Sequence, residues 1–421
     1  MSQFWNDKIK SISPYVPGEQ PKDKKYIKLN TNENPYPPSP NVMKAVKSMD
    51  IESMRLYPDP DVTLLKDEIA KYFNLTREQI FVGNGSDEIL AFIFMAFFNK
   101  QDKVYYPDIT YSFYPVYSDL FDLTEVQIPL DSNFEIKIED YFRLDGHIII
   151  TNPNAPTSIA LTLDKIESII ANNPNNLVVV DEAYVDFGAE SAVKLIDKYS
   201  NLLVVQTFSK SRSYAGMRLG YALGNSNIIE GLERLKFSFN SYTINRISIE
   251  SGIESFRDEE YFQECRRKIM NTRDYTTTEL QKLGFNVLDS KSNFLFISHI
   301  TANASDLYQK LRDNGILVRY FSKPKIDNFL RVTIGTDEEM QDFLKIEPHA
   351  EKFIRKFLGS EEFINGNFRW CLWLKDASPS EIRMMPKVVE RIQKVKESRL
   401  ESGSPEALRL AKTPSMFRDT R

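Results

Sequence analysis

Four short stretches of this 421-residue sequence pair a reactive side chain with residues that shape the backbone around it. DEAY (181–184) closes the apolar run LVVV, so Asp181 arrives at the end of a buried segment, where an unpaired carboxylate is costly. It needs a cationic partner, and a protonated ring nitrogen, a structural arginine or a helix N-terminus would each serve. SK (209–210) closes the next apolar run. Lys210 can act as a nucleophile only if its pKa falls from the ordinary value of ~10.4, or if a Schiff base removes the charge. A lone lysine at such a place is more often simply solvated. GNGSDE (83–88) precedes the apolar stretch 89–98, so Ser86 and Asp87 can cap a helix whose free N–H groups suit an anion. A plain structural cap explains the same residues, and neither glycine-rich nucleotide fingerprint is matched. AGMRLG (215–220) sets Arg218 eight residues beyond Lys210. Its planar fork suits phosphate, although a salt bridge is the plainer reading.

None of these signals decides alone; their order does. A Gly-Ser-Asp loop, an Asn-Pro segment, a strand ending in Asp-x-x-Tyr, then a strand ending in Ser-Lys with Arg beyond it supply what pyridoxal phosphate needs. Those needs are a phosphate cradle, a charge partner for the pyridine nitrogen and a Schiff-base amine. Metal chemistry has no comparable support. His147, His299, His349, Cys265 and Cys371 are scattered without ligand spacing, which also argues against a disulfide framework.

The elements that must position these residues are legible as an alternation. IFVGN (80–84), KVYYP (103–107), HIIITNPN (147–154), LVVVDEAY (177–184), LLVVQTFSK (202–210) and RLGYALG (218–224) read as strands separated by helical stretches. Near-continuous apolar strands of this kind build a mostly parallel sheet covered on both faces. In such sheets ligands gather at the carboxyl ends of the strands, where the polar residues above lie. Val62, Leu65, Ile69 and Phe73 recur at helical spacing, whereas residues 1–60, rich in Pro and Asn, are expected to wrap as extended chain. Beyond about residue 250 the pattern loosens, with NFLFIS (293–298) and FLRVTIG (329–335) as strands of a smaller α/β domain.

Length allows two or three domains, and 42% apolar with 27% charged residues is ordinary for a soluble protein. A net charge of −5 gives no global pull towards nucleic acid or membrane. The charged N-terminus lacks a signal peptide's apolar core, and 89–98 is too short to span a bilayer, so the cytoplasm is the expected location.

PYVPGEQP (14–21), LNTNENPYPP (29–38), YPDP (57–60), GNGSDEIL (83–90), PDITYSFYPVY (107–117), NPNAPTS (152–158), VVVDEAYVDF (178–187), TFSKSRSYAGMRLGY (207–221), GILVRYF (315–321) and FLRVTIGT (329–336) follow in order over roughly residues 10–345. This set resembles the fold-type-I pyridoxal-phosphate aminotransferases, most closely their histidinol-phosphate branch. The resemblance implies an α/β large domain (45–255) on a mostly parallel seven-stranded sheet, a smaller domain (256–345), an N-terminal arm (1–44) beside it, and a homodimer. It implies amino transfer between L-histidinol phosphate and 2-oxoglutarate or glutamate, as a step of histidine biosynthesis. Lys210 would carry the cofactor and shuttle the proton, Asp181 would pair with the pyridine nitrogen, Tyr184 would bond the phenolic oxygen and Tyr111 would stack on the ring. Ser86, Asp87, Ser209 and Arg218 would surround the phosphate, with Tyr57 reaching it from a second subunit. Arg331 would grip a carboxylate, and Arg319, Tyr15 and Asn34 would line the pocket. Aromatic aminotransferases and a threonine-phosphate decarboxylase share nearly all these motifs.

Two departures stand out. The usual Asn before Pro-Thr-Gly, a donor to the phenolic oxygen, is Ala155 here, and the Gly is Ser158; Asn154 or Asn152 is expected to take over the hydrogen bond. Beyond the aminotransferase pattern lie 76 further residues (346–421), with 15 Lys plus Arg against 11 Asp plus Glu. Their FINGNFRWCLWLKDASPSEIR (363–383) and helical MPKVVERIQKVKESRL (385–400) resemble an internal piece of restriction-modification DNA methyltransferases. The piece lacks the Asn-Pro-Pro-Tyr motif and a cofactor-binding glycine loop, so it is expected to be a fusion passenger with weak DNA affinity at most. A rival reading makes this tail the functional part, in a nucleic-acid-binding protein whose aminotransferase body is a relic.

Overall fold

The computed structural model describes residues 2–344, 354–357, 369–402 and 404–416. Helix α1 (Asp7–Ser11) and strand β1 (Ile27–Lys28) lie in an otherwise extended arm, as its prolines dictate. Helices α2 (Pro40–Lys47) and α3 (Thr63–Phe73) follow. The large sheet then unfolds as β2 (Ile80–Gly83), α4 (Gly85–Phe97), β3 (Lys103–Pro107), α5 (Tyr114–Leu120), β4 (Thr124–Ile128), β5 (His147–Thr151), α6 (Leu163–Ala171), β6 (Val178–Asp181), β7 (Leu202–Thr207) and β8 (Gly220–Gly224). Its spatial order is β2-β8-β7-β6-β5-β3-β4. The four pairings from β7 to β4 are parallel, and β8 runs antiparallel to both β7 and β2. The fold is therefore α/β on a mostly parallel seven-stranded sheet, as the alternation and the resemblance imply.

Every residue of β2, β6, β7 and β8 is buried, which is why these strands read as unbroken apolar runs. Two apolar clusters cover the two faces, one around Leu65, Ile69, Val178 and Val204, the other around Phe92, Phe94, Val179 and Val205. Strand β4 differs. It lies at the sheet edge with no fully buried residue, and its sequence TEVQI carries no core signal.

Helices α7 (Ser226–Phe239), α8 (Arg246–Arg257) and the long α9 (Glu259–Lys282) lead into the smaller unit. It comprises β9 (Phe285–Val287), β10 (Phe294–His299), α10 (Ala304–Asp313), β11 (Ile316–Leu317), β12 (Arg319–Tyr320), β13 (Leu330–Thr333) and α11 (Asp337–Leu344). Four of its strands form an antiparallel sheet, β12-β13-β10-β9, and β1 of the arm pairs in parallel with β11. The arm is thereby stitched to the smaller unit before it crosses towards the large one.

In the tail, Ile354–Phe357 pairs antiparallel with Arg369–Leu372. Helices Pro379–Arg383, Pro386–Glu401 and Pro405–Leu410 follow. Leu374, Met385 and Val388 form a small apolar cluster of their own. Residues 363–368 of the methyltransferase-like motif lie outside the described residues. Among the described residues no helix is long and apolar enough to cross a membrane.

Candidate active site

Asp181 is the last residue of β6, held in register between Thr151 of β5 and Val205 of β7. It is buried. Tyr114 donates its hydroxyl to Asp181 Oδ2 at 2.8 Å, and the Ala183 N–H donates to Oδ1 at 3.2 Å. No cation of the described residues hydrogen-bonds or ion-pairs with this carboxylate, and desolvation pushes its pKa up to about 6. An acid so placed lacks a positive partner, and a protonated ring nitrogen would supply one.

Lys210 lies three residues past β7. Its Nζ donates to the Thr31 carbonyl at 3.1 Å and sits 5.8 Å from the centre of the Tyr184 ring. Burial, then the nearby Arg331 cation, lowers the amine pKa to about 8. Roughly one amine in ten is then neutral at pH 7, against about one in a few thousand for an ordinary lysine.

The anion end is built where β2 passes into α4. Gly85 has φ +81°, and a Cβ there would lie 2.6 Å from Arg218 Nη2. Gly220 meets the same turn from β8; a Cβ on it would approach the Ser86 nitrogen to 2.7 Å. Both glycines thus let backbones close around the N-terminus of α4. Asp87 accepts from Tyr111 at 2.9 Å and pairs with Arg218 at 3.0 Å. A carboxylate repels phosphate, so Asp87 here orients Arg218 and Tyr111. Ser209 is buried beside Thr207, whose hydroxyl donates to its Oγ at 3.0 Å.

The smaller unit contributes two cations. Arg319 of β12 and Arg331 of β13 are direct cross-strand partners. Like charges so placed are unfavourable unless an anion lies with them. Burial and Arg319 depress the Arg331 pKa, and its Nε is buried with no acceptor among the described residues. Its Nη2 donates to the Asn30 carbonyl at 2.9 Å. Tyr15 stacks on Phe113 at 4.6 Å and lies 6.4 Å from Tyr111, an aromatic wall to the same pocket.

Four further expected residues have these partners in the chain. Asn34 donates to the carbonyls of Lys210 and Ser211, at 3.0 and 3.1 Å, so its amide braces the lysine's backbone. Asn154 donates to the Ile109 carbonyl and to Thr157, and Asn152 exchanges hydrogen bonds with Leu161. The Asn152 amide is thus held within its own loop, while that of Asn154 ties this loop to the one after β3. Tyr57 is 78% exposed and stacks on Tyr242 at 4.4 Å.

Sequence reasoning missed Tyr114, Thr31 and Asn32. Tyr114 sat inside a quoted motif, yet nothing in its spacing marked it as a partner of Asp181. Asn32 donates to the Tyr184 hydroxyl at 3.0 Å across 152 residues of chain, a pairing with no local signal.

Comparison with known proteins fits this arrangement. The model for aminotransferase class I and II matches residues 24–346, and that for the MmeI target recognition domain matches residues 322–421. A histidinol-phosphate aminotransferase from Brachyspira hyodysenteriae is 64% identical over 346 residues, which is 82% of this chain and 98% of that protein. One from Clostridium botulinum strain Langeland is 55% identical over 344 residues, 82% of this chain and 97% of its own. The crystal structure of histidinol-phosphate aminotransferase from Sinorhizobium meliloti in complex with pyridoxal-5'-phosphate superposes with a TM-score of 0.75. At 22% identity, over 83% of this chain and 97% of that one, it speaks to the fold.

Proposed function

This chain belongs to the class I and II aminotransferase family, and we propose that it transfers the amino group between L-histidinol phosphate and 2-oxoglutarate with pyridoxal phosphate as cofactor. The observation that carries the reading is that an amine lowered to about 8, a buried acid with no cation among the described residues and one of two cross-strand arginines gather around Tyr184. The residues fit the cofactor. Asp181 would hold a proton on the pyridine nitrogen, and that cation would offset the burial of its carboxylate. Tyr111 would lie against the ring and Tyr184 would donate to the phenolic oxygen. Ser86, Ser209 and Arg218 would take the phosphate at the N-terminus of α4, with Asp87 holding Arg218 in place.

Bound there, pyridoxal phosphate supplies an electron sink for negative charge at the substrate Cα. Lys210 would provide the amine that holds the cofactor's aldehyde, and its lowered pKa would suit that amine to take and return the substrate Cα proton near neutrality. Arg331 grips the carboxylate of glutamate or 2-oxoglutarate by bidentate hydrogen bonds. Arg319 and Tyr15 receive the phosphate and ring of histidinol phosphate. The enzyme acts in the cytoplasm as a homodimer, in which the exposed Tyr57 reaches the phosphate end of a second copy's site.

The test is the visible spectrum of the purified protein with pyridoxal phosphate, before and after histidinol phosphate is added alone. The expected result is a visible band that gives way to the pyridoxamine form and is absent in Lys210→Ala. A band that ignores histidinol phosphate and answers to phenylalanine instead would discard the substrate. Carbon dioxide release from threonine phosphate would indicate a decarboxylase.

A further inference from the structure

The segment from Asn30 to Asn34 touches three of the groups in which the proposed chemistry resides, Lys210, Tyr184 and Arg331. Asn30 accepts from Arg331, Thr31 from Lys210 Nζ, Asn32 donates to Tyr184, and Asn34 braces the Lys210 backbone. Of these contacts, the one at Asn32 has a direction with chemical consequence. Asn32 is only 1% exposed. The Thr333 hydroxyl grips it from behind, accepting from the Asn32 backbone N–H and donating to its Oδ1, both at 3.0 Å. The Asn32 carbonyl accepts from Asn293 at 3.0 Å. With Oδ1 occupied by Thr333, the amide N–H₂ is the end that faces Tyr184, at 3.0 Å.

A phenol oxygen carries one proton. Once Asn32 donates to it, that proton must find another acceptor. Among the described residues none takes it, although Tyr184 is buried and packed edge-on against Phe294. A buried donor left without a partner is costly, so this proton is aimed at whatever the pocket holds beside Lys210.

We propose that Asn32 is a positioning residue for Tyr184, whose amide fixes the phenol as a one-way donor towards the phenolic oxygen of the bound cofactor. The inference rests on the cofactor assignment above. It adds that the donor strength at that oxygen is set from the N-terminal arm. A hydrogen bond to the phenolic oxygen stabilises its anion and weakens its hold on the neighbouring imine proton. Losing that donation therefore raises the pH at which the imine proton leaves.

The test is a pH titration of the visible band of the full-length, cofactor-loaded protein. Asn32 has φ +55°, a conformation that Asp and Gly tolerate, so Asn32→Asp and Asn32→Gly are the variants of choice. In Asn32→Asp the carboxylate accepts the Tyr184 proton and draws it from the pocket. Its apparent pKa should rise by about 0.5–1, a proton affinity about 3- to 10-fold higher, of the size a charge-assisted hydrogen bond supplies. Asn32→Gly should shift it the same way by less, and so should Thr333→Val, which frees the amide oxygen and takes the acceptor from the Asn32 backbone N–H. In Tyr184→Phe the titration should move upward as well, and Asn32→Asp should then add nothing. A titration unchanged in the Asn32 variants would overturn the inference, as would an Asn32 shift that persists without the Tyr184 hydroxyl. A wild-type chain with no visible band would instead overturn the cofactor assignment itself.

Discussion

Asp181 and Lys210 are matched opposites in the cofactor-free chain, an acid held up to about 6 and an amine held down to about 8 by the same removal from water. Each makes a prediction whose sign follows from linkage. The folded state binds the Asp181 proton more tightly than the unfolded chain does. Its contribution to stability is therefore present below about pH 4 and is lost as pH rises towards about 6. Asp181→Asn removes that loss. Calorimetry of the cofactor-free proteins should find the variant at least as stable as wild type at pH 7, with its advantage vanishing near pH 4. With cofactor bound the order reverses, because the carboxylate then has its cation. Activity of Asp181→Asn should fall about 100-fold or more, the scale of removing one partner of a buried charge pair. For Lys210 the neutral amine is the reactive form. Stopped-flow capture of pyridoxal phosphate should speed up from pH 6.5 and level off above about pH 8. A rate still climbing at pH 10 would mean an ordinary, solvated lysine.

The turn between β2 and α4 depends on backbones that approach without side chains. At Gly220 an added Cβ would lie 2.7 Å from the Ser86 nitrogen and 2.8 Å from the Gly85 carbonyl carbon, both rigid backbone atoms. Gly220→Ala must therefore push β8 off the helix N-terminus. The expected cost is about 1–3 kcal/mol of stability, as for overpacked cores, together with weaker cofactor retention because Arg218 moves with β8. Equilibrium denaturation and dialysis against phosphate buffer check the two effects separately. The glycines themselves were legible in GNGSDE and AGMRLG, but their mutual approach was not, since it joins residues 135 positions apart. The same contrast runs through the fold. Six of the large sheet's strands could be read as apolar runs because burial on both faces demands such runs. Edge strand β4 could not, and the arm from Asn30 to Asn34 read only as extended chain. Its role lies in contacts with Tyr184, Lys210 and Arg331, for which spacing along the sequence carries no code.

The tail is the part whose relation to the enzyme is set by organisation rather than by contact with the site. Relatives that match 346 residues of this chain are themselves covered to 98%, so the aminotransferase pattern is complete without the last 76 residues. Those residues carry more basic than acidic side chains, while the rest of the chain is acidic. They also have a small apolar cluster around Leu374, Met385 and Val388. Among the described residues of the tail, the buried apolar side chains are Leu374, Met385, Val388 and Ala411. A chain ending at residue 345 should therefore keep the visible band and the half-reaction with histidinol phosphate, with kcat within about 3-fold of the full chain. Any DNA retained by the full chain in a gel shift should be lost by 200 mM salt, as expected of a few lysines and arginines meeting phosphates. Salt-resistant, sequence-selective binding that disappears on truncation would give the tail a function of its own. Loss of the visible band on truncation would make it part of the enzyme.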